Sequence, residues 1–208
     1  MGPAEAKMDT STLFKLGYGL YVLTSRDGDR DNGCIINTIM QVTSVAPFIE
    51  VVTVNKQNYS HDLIMNSGKF NISVLTEETP FDIFTRFGFQ SGRSNDKYSG
   101  FPDIGRSKNG LIYLSKYTNA YLSFEVTETY DFGSHTMFRA VMTDGEATGK
   151  ADSVTYTYYQ RHIKPKPQAA QKKGYRCKIC GYVYEGDVLP DDFICPICKH
   201  GVSDFEKL

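Results

Sequence analysis

Over most of its length this chain is nearly free of thiol. Of 208 residues five are cysteine, and the first 176 contain only Cys34. An odd total, with four crowded near one end, does not suit a disulfide framework. An excess of charge of either sign is also missing. The 23 Lys+Arg and 24 Asp+Glu leave a formal net charge of −1, which argues against a nucleic-acid or membrane-surface binder. No apolar run approaches the roughly 18 residues that a membrane span needs. The opening MGPAEAKMDT lacks the basic and apolar regions of a signal peptide. The expected compartment is therefore the cytoplasm, where thiols stay reduced. No G-x-G-x-x-G leads into a helix and no P-loop occurs, so the Rossmann route to a nicotinamide cofactor is excluded. Nor is there a separate cluster of His and carboxylates suited to a di-iron centre.

What is present reads as β-rich from about residue 34 to 160. In AYLSFEVTETY, Ala120, Leu122, Phe124 and Val126 alternate with polar residues at a period of two, the mark of a half-buried strand. KFNISVL (69–75) repeats the pattern. CIINTIM (34–40), FIEVVTV (48–54), HTMFRAVM (135–142) and VTYTYYQ (154–160) are further strand candidates, and RDGDRDNG (26–33) reads as a turn. Two short helices are expected, SHDLIMNSG (60–68) with a Ser N-cap and a Gly stop, and TPFDIFTRF (79–87). Strands that do not alternate with helices exclude a doubly wound parallel sheet. Six or so antiparallel strands favour a closed or nearly closed barrel.

The composition then changes. Residues 161–174, RHIKPKPQAAQKKG, are basic, proline-containing and without acids, as suits a solvated tether. From 175 to 208 four basic residues meet six acidic ones, 4 − 6 = −2. The expected organisation is a barrel over 8–162, a linker over 163–174 and a small domain over 175–208. That small domain holds Cys177-x-x-Cys180 and Cys195-x-x-Cys198. Two CxxC turns converge their thiolates on a tetrahedral S₄ site, which softness and geometry allow to hold zinc or iron. About 34 residues are too few to fold stably without such a staple.

The flanking residues CGYVYEGD, LPDDFICPIC and DFEKL resemble the rubredoxin family. The resemblance implies one iron on four thiolates, ringed by Tyr182, Tyr184, Phe193 and Phe205. Gly181 fits the left-handed position that lets backbone N–H groups reach sulfur. The chain departs from the family at Phe193, where Trp is usual, and at Lys199, where the second turn usually has Gly. The spacer between the pairs is also shorter than in most free-standing members.

Residues 34–75 resemble the flavin reductase-like family of FMN-binding split barrels. The order of features carries the likeness: NTIMQVTS, then VNKQNYSH opening a helix, then KFNISVL. FGFQSGRSNDKYSG (87–100) and GSHTMFRAVMTDGEA (133–147) look like the same family. The resemblance implies a mainly β, antiparallel Greek-key split barrel with a few short helices. It assigns Asn37, Thr38, Gln41, Val42, Thr43 and Ser44 to flavin contact. A helix N-terminus is a ready phosphate site, and Asn55, Lys56, Tyr59 and Ser60 stand there. Arg93, with Lys97, sits in a loop expected at the surface that could close over the flavin. His135 follows a Gly-Ser turn as does a histidine near the nicotinamide site of flavin reductases. Cys34 is expected to be a buried small residue near the flavin.

A hydride carries two electrons and an S₄ iron accepts one, whereas a flavin takes the pair and returns them singly. The two parts in this order resemble the high-molecular-weight rubredoxins of anaerobic bacteria. That resemblance implies a homodimeric oxidoreductase passing electrons from NAD(P)H through FMN to a Cys₄ iron, and on to a flavodiiron protein that reduces nitric oxide or dioxygen. Zinc in the same site leaves a second reading open, a flavin-binding split barrel whose structural zinc ribbon recruits a partner.

Overall fold

The computed structural model describes residues 9–166 and 174–208. After a 3₁₀ turn at Thr10–Lys15, β1 (Tyr21–Asp27) and β2 (Arg30–Ile36) form a hairpin. Asp27 pairs with Arg30, so the turn itself is only Gly28 and Asp29, with Gly28 at φ +55. Such two-residue hairpin turns require positive φ, which glycine adopts without strain. The polar run 26–33, expected as a turn, is therefore mostly paired strand. There follow β3 (Ile39–Gln41), β4 (Ile49–Asn55), α1 (Tyr59–Ser67), β5 (Lys69–Leu75), α2 (Phe81–Gly88), the hairpin β6 (Ile104–Arg106) and β7 (Ile112–Leu114), and the long pair β8 (Thr118–Asp131) and β9 (His135–Ala147).

Seven of these strands make one sheet in the order β2-β1-β5-β8-β9-β4-β3, with every pairing antiparallel. Strands β2 and β3 follow each other in sequence yet lie at opposite edges. The sheet is thus the antiparallel, split Greek-key barrel that the sequence implied, open between those two strands.

Two apolar layers hold it together. Inside the sheet, Leu23, Val52, Phe70, Ile72, Phe124 and Phe138 are fully buried, with Phe70 stacked on Phe124 at 5.0 Å between ring centroids. Outside, α2 lays Ile83, Phe84 and Phe87 over Leu20, Val22 and Leu75. Burying each such side chain contributes roughly 1.5–3 kcal/mol.

Helix α1 begins at Tyr59 with Asn58 at the N-cap, two residues before the expected cap Ser60. Ser60 is instead fully buried and its hydroxyl accepts from Asn32 Nδ2 at 2.9 Å. The helix stops at Gly68, φ +66, as expected. VTYTYYQ, expected as a strand, is helical: α3 (Tyr156–Tyr158) continues into a π-turn at Tyr159–Ile163. Thr155 caps it by accepting from Tyr158 N, and Tyr159 packs on Phe84 at 4.5 Å between centroids. Aromatic and β-branched composition signals a strand, but here one side of a short helix supplies the aromatic cover for α2.

The centre of the expected linker, 167–173, lies outside the described residues, as does Met8, the expected first residue of the barrel. Beyond it β10 (Tyr175–Cys177), β11 (Val183–Tyr184) and β12 (Phe205–Lys207) form a three-stranded sheet. Among the described residues no helix is long and apolar enough to cross a membrane.

Candidate metal centre and flavin site

The two cysteine turns are near copies of each other. Cys177 N donates to Tyr182 O at 2.8 Å and Gly181 N to Cys177 O at 2.9 Å. In the second turn Cys195 N donates to His200 O at 2.8 Å and Lys199 N to Cys195 O at 2.9 Å. This closure needs a left-handed residue just after the second cysteine, supplied by Gly181 (φ +83) and Lys199 (φ +62). A Cβ in that region costs on the order of 1 kcal/mol, which Lys199 bears and Gly181 avoids.

The four sulfurs all lie within 4.8 Å of one another. Cys177–Cys198 and Cys180–Cys195 are 3.5 Å apart, too far for a disulfide and close to the roughly 3.8 Å edge of a tetrahedron with 2.3 Å metal–sulfur bonds. None is more than 3% exposed. Four converging, buried sulfurs without an internal counter-charge fit a soft cation. Phe193 packs against Tyr182, Tyr184 and Phe205 with centroids 6.3, 4.7 and 5.4 Å apart. It thereby backs Tyr182 and Phe205, the two rings of this group that pack against the cysteines. Phe89, the residue that caps α2, also packs against the four cysteines.

That contact brings the tail onto a cavity of ≈ 330 Å³ in the barrel. Its wall is built from Asn32, Cys34, 57–59, 88–92, 94–95 and Lys97, with Cys198, Lys199 and His200 from the second cysteine turn. Asn58 makes no side-chain bond to the first turn of α1, which opens here. Lys97, expected on a surface loop, is 4% exposed. Its Nζ donates to Gly33 O at 2.8 Å and Phe87 O at 3.1 Å, tying loop 94–98 to β2 and α2. Burial pulls its pKa down to about 8, partly opposed by the neighbouring Cys34. Burial likewise pushes the Cys34 thiol up, against a bond to Ser60 and the charge of Lys97.

The other expected residues fall into three groups. Asn37 and Thr38 lead into β3, Gln41 ends it, and Val42, Thr43 and Ser44 follow in the next loop, at the free edge of the sheet. Thr38 Oγ1 donates to Thr53 O at 2.7 Å, and Gln41 Nε2 to Thr43 O at 2.9 Å. Thr43 Oγ1 donates to Pro47 O at 2.8 Å and accepts from Ile49 N at 2.8 Å. These bonds shape the segment and leave the edge of β3 facing outward.

Asn55, Lys56 and His135 come together at one end of β4 and β9, where Asn55 pairs with His135 and Lys56 N donates to Ser134 O at 3.0 Å. His135 Nδ1 is 2.9 Å from Ser134 Oγ. Lys56 Nζ donates to Asp131 at 2.7 Å, and this bond holds the Asp131 carboxyl below its ordinary range.

Tyr59 and Arg93 form the third group. The Arg30 and Arg93 guanidiniums sit 4.6 and 5.2 Å from the Tyr59 ring centroid, and Arg93 is anchored on Asp62 at 2.7 Å. Sequence reasoning did not single out Asn32, Arg30 or Phe89. Only the three-dimensional meeting of β2, α1 and α2 brings Asn32 and Phe89 to the cavity and Arg30 over the Tyr59 ring.

Comparison with known proteins matches the two parts of the chain in turn. Residues 13–167 match the model of the flavin reductase like domain, and residues 175–206 that of the rubrerythrin, rubredoxin-like domain. The chain is 38% identical to the high molecular weight rubredoxin of Moorella thermoacetica, over 97% of this chain and 100% of that protein. It is 35% identical to a ferric-chelate reductase (NAD(P)H) of Archaeoglobus fulgidus, over 76% of this chain and 93% of that one. The fold is shared with an FMN-binding protein from Thermus thermophilus at TM-score 0.58 and 20% identity, covering 71% of this chain and 78% of that one. A β-barrel and a Cys₄ knuckle pair in this order, matched over nearly the full length of both proteins, make the chain a member of the flavin reductase-like family, in the rubredoxin-fused form of the high molecular weight rubredoxins.

Proposed function

We propose that the chain is an NAD(P)H-dependent oxidoreductase that passes electrons through FMN to a single iron on Cys177, Cys180, Cys195 and Cys198, and from there to an external acceptor protein. The observation that carries this reading is Cys198. It belongs to the four-sulfur cluster and also forms part of the wall of the barrel cavity. The residues fit a flavin nucleotide. Among the described residues no carboxylate lines that cavity, whose wall is rich in amides and hydroxyls and includes two lysines.

In this reading Tyr59 and Ser60 lie at the phosphate end. Asn37, Thr38, Gln41, Val42, Thr43 and Ser44 offer polar groups and a free strand edge to the isoalloxazine. Asn55, Lys56 and Arg93 flank them, and His135 lies toward the nicotinamide. The flavin supplies the exchange between paired and single electrons when bound. The chain supplies orientation, charge balance and, through Phe89 and the aromatic ring around Phe193, a dry contact to the four sulfurs. The barrel over 8–162 and the small domain over 175–208 are the two functional units.

A homodimer is part of the proposal. Met40, Val42, Val45 and Phe48 are exposed together along the free β3 edge, a surface that a second copy would cover. A flavodiiron protein reducing nitric oxide or dioxygen is the proposed acceptor.

The test is anaerobic addition of NADH to wild type and to Cys180→Ser, with absorbance read on the flavin and ferric-thiolate bands. The variant should reduce its flavin at the wild-type rate and fail to reduce an added flavodiiron acceptor. Equal acceptor reduction by both proteins would remove the four-cysteine site from the path.

A further inference from the structure

The second cysteine turn carries a residue that its own geometry does not call for. The turn needs a left-handed residue at position 199, and glycine would fill it without strain. The chain instead places Lys199 there at φ +62. Among the described residues the lysine ammonium makes no ion pair. With Cys198 and His200 it forms the tail's share of the cavity wall, the rest of which the barrel builds, and it also borders a neighbouring cleft beside α2. Inside that wall the buried amine of Lys97 is already committed to two carbonyls. The cavity therefore has a polar, carboxylate-free lining and one uncommitted cation, and that cation comes from the other unit of the chain.

We propose that Lys199 is a ligand of the phosphate of the flavin nucleotide, so that the small domain completes the binding site on the barrel. This rests on the flavin reading above and deepens it. An ammonium at the phosphate adds attraction for a dianionic ester that an uncharged flavin does not feel. Binding and docking are then linked. A phosphate that draws Lys199 toward the barrel must tighten the seat of the four-cysteine unit by the same factor that docking tightens the nucleotide. The strain at position 199 is offset by this contact, and the iron site is held at the cavity when the cofactor is loaded.

The experiment uses the full-length, metal-loaded protein and the ratio of FMN to riboflavin affinity, read by quenching of flavin fluorescence. Lys199→Gly keeps the turn, since glycine suits its φ, and metal content and absorbance of the four-cysteine site verify this. The variant should lose about tenfold in FMN affinity and nothing in riboflavin affinity. Lys199→Arg, which keeps the charge, should restore most of the FMN preference. Raising ionic strength should shrink the wild-type preference and leave that of Lys199→Gly nearly unmoved. A wild-type FMN preference that Lys199→Gly leaves unchanged overturns this proposal while sparing the flavin reading. A wild type that binds neither flavin overturns the flavin reading and this proposal with it.

Discussion

Lys97 gives the sharpest test of how the barrel is built. The residue is 4% exposed and its pKa is pulled down to about 8 by burial, from an ordinary 10.5. Below pH 8 both the folded and unfolded chains carry the proton, and the cost of burying the charge is present in full. As pH rises from 8 toward 10.5 the folded protein releases the proton first, so this cost is relieved and stability increases. Between pH 7 and 9 the gain is on the order of 1 kcal/mol, from proton linkage with those two pKa values. Cys34 works in the opposite direction. Burial raises its pKa above 9.0, so the unfolded thiol ionises first and stability falls as pH climbs past that value.

The Lys97→Met variant removes the lysine's own titration; the tyrosines and the four metal ligands are the same in both proteins, and Cys34, without the nearby cation, is pushed further up and stays protonated in the folded chain. Its absolute stability combines a relieved charge with two carbonyls, Gly33 O and Phe87 O, left without a donor. Only the change with pH is diagnostic. Denaturant unfolding followed by far-UV circular dichroism at pH 7 and pH 9 should show wild type gaining on the order of 1 kcal/mol relative to Lys97→Met. Parallel stabilities across that range would mean that Lys97 titrates as an exposed lysine, and the buried-ammonium account would be wrong.

Other outcomes follow from the same geometry. Cys180→Ser should release the metal and unfold the tail, while far-UV circular dichroism of the barrel persists; loss of the barrel signal as well would show the two units to be one cooperative structure. Phe138→Ala empties a fully buried site in the inner layer and should cost about 3–5 kcal/mol in denaturant unfolding. Gly68→Ala forces a side chain into φ +66 at the end of α1, where a loss of roughly 1 kcal/mol is expected, and a thermal shift below one degree would contradict it. Stripping the metal with a chelator from the wild-type chain should abolish acceptor reduction and leave NADH-driven flavin reduction in place, as stopped-flow absorbance would show.

The cysteine pairs, the order of the barrel motifs and the strand containing Phe124 were legible because each is local. Spacing sets the metal turns, and a period of two sets a strand with one wet face. Strand β1 carried no such mark. It is buried on both faces between β2 and β5, so its residues do not alternate. The same local reading mistook VTYTYYQ for a strand, because composition alone does not reveal that Tyr159 would seat on Phe84. Lys97 looked like a surface residue among Ser, Asn and Asp. Its burial depends on carbonyls at Gly33 and Phe87, which only the packed fold brings to its amine. The expected flavin contacts were named by likeness, and the structure adds what likeness could not. It sets Asn37–Ser44 along an open edge, and it brings Lys199 to the barrel's cavity.

The docking of Phe89 against the four sulfurs also bears on the order in which the protein is made. Phe89 caps a helix that ends at Gly88, and the helical segment that covers this helix closes at Ile163. Cys198 leaves the ribosome 198 − 163 = 35 residues later, roughly 2–7 s at ordinary elongation rates. The barrel can fold in that interval and present a finished apolar cap before the last cysteine emerges. The nascent tail would then meet a template that shields its thiolates from the moment they can gather a metal, and maturation of the electron carrier becomes a late step seated on an already folded scaffold.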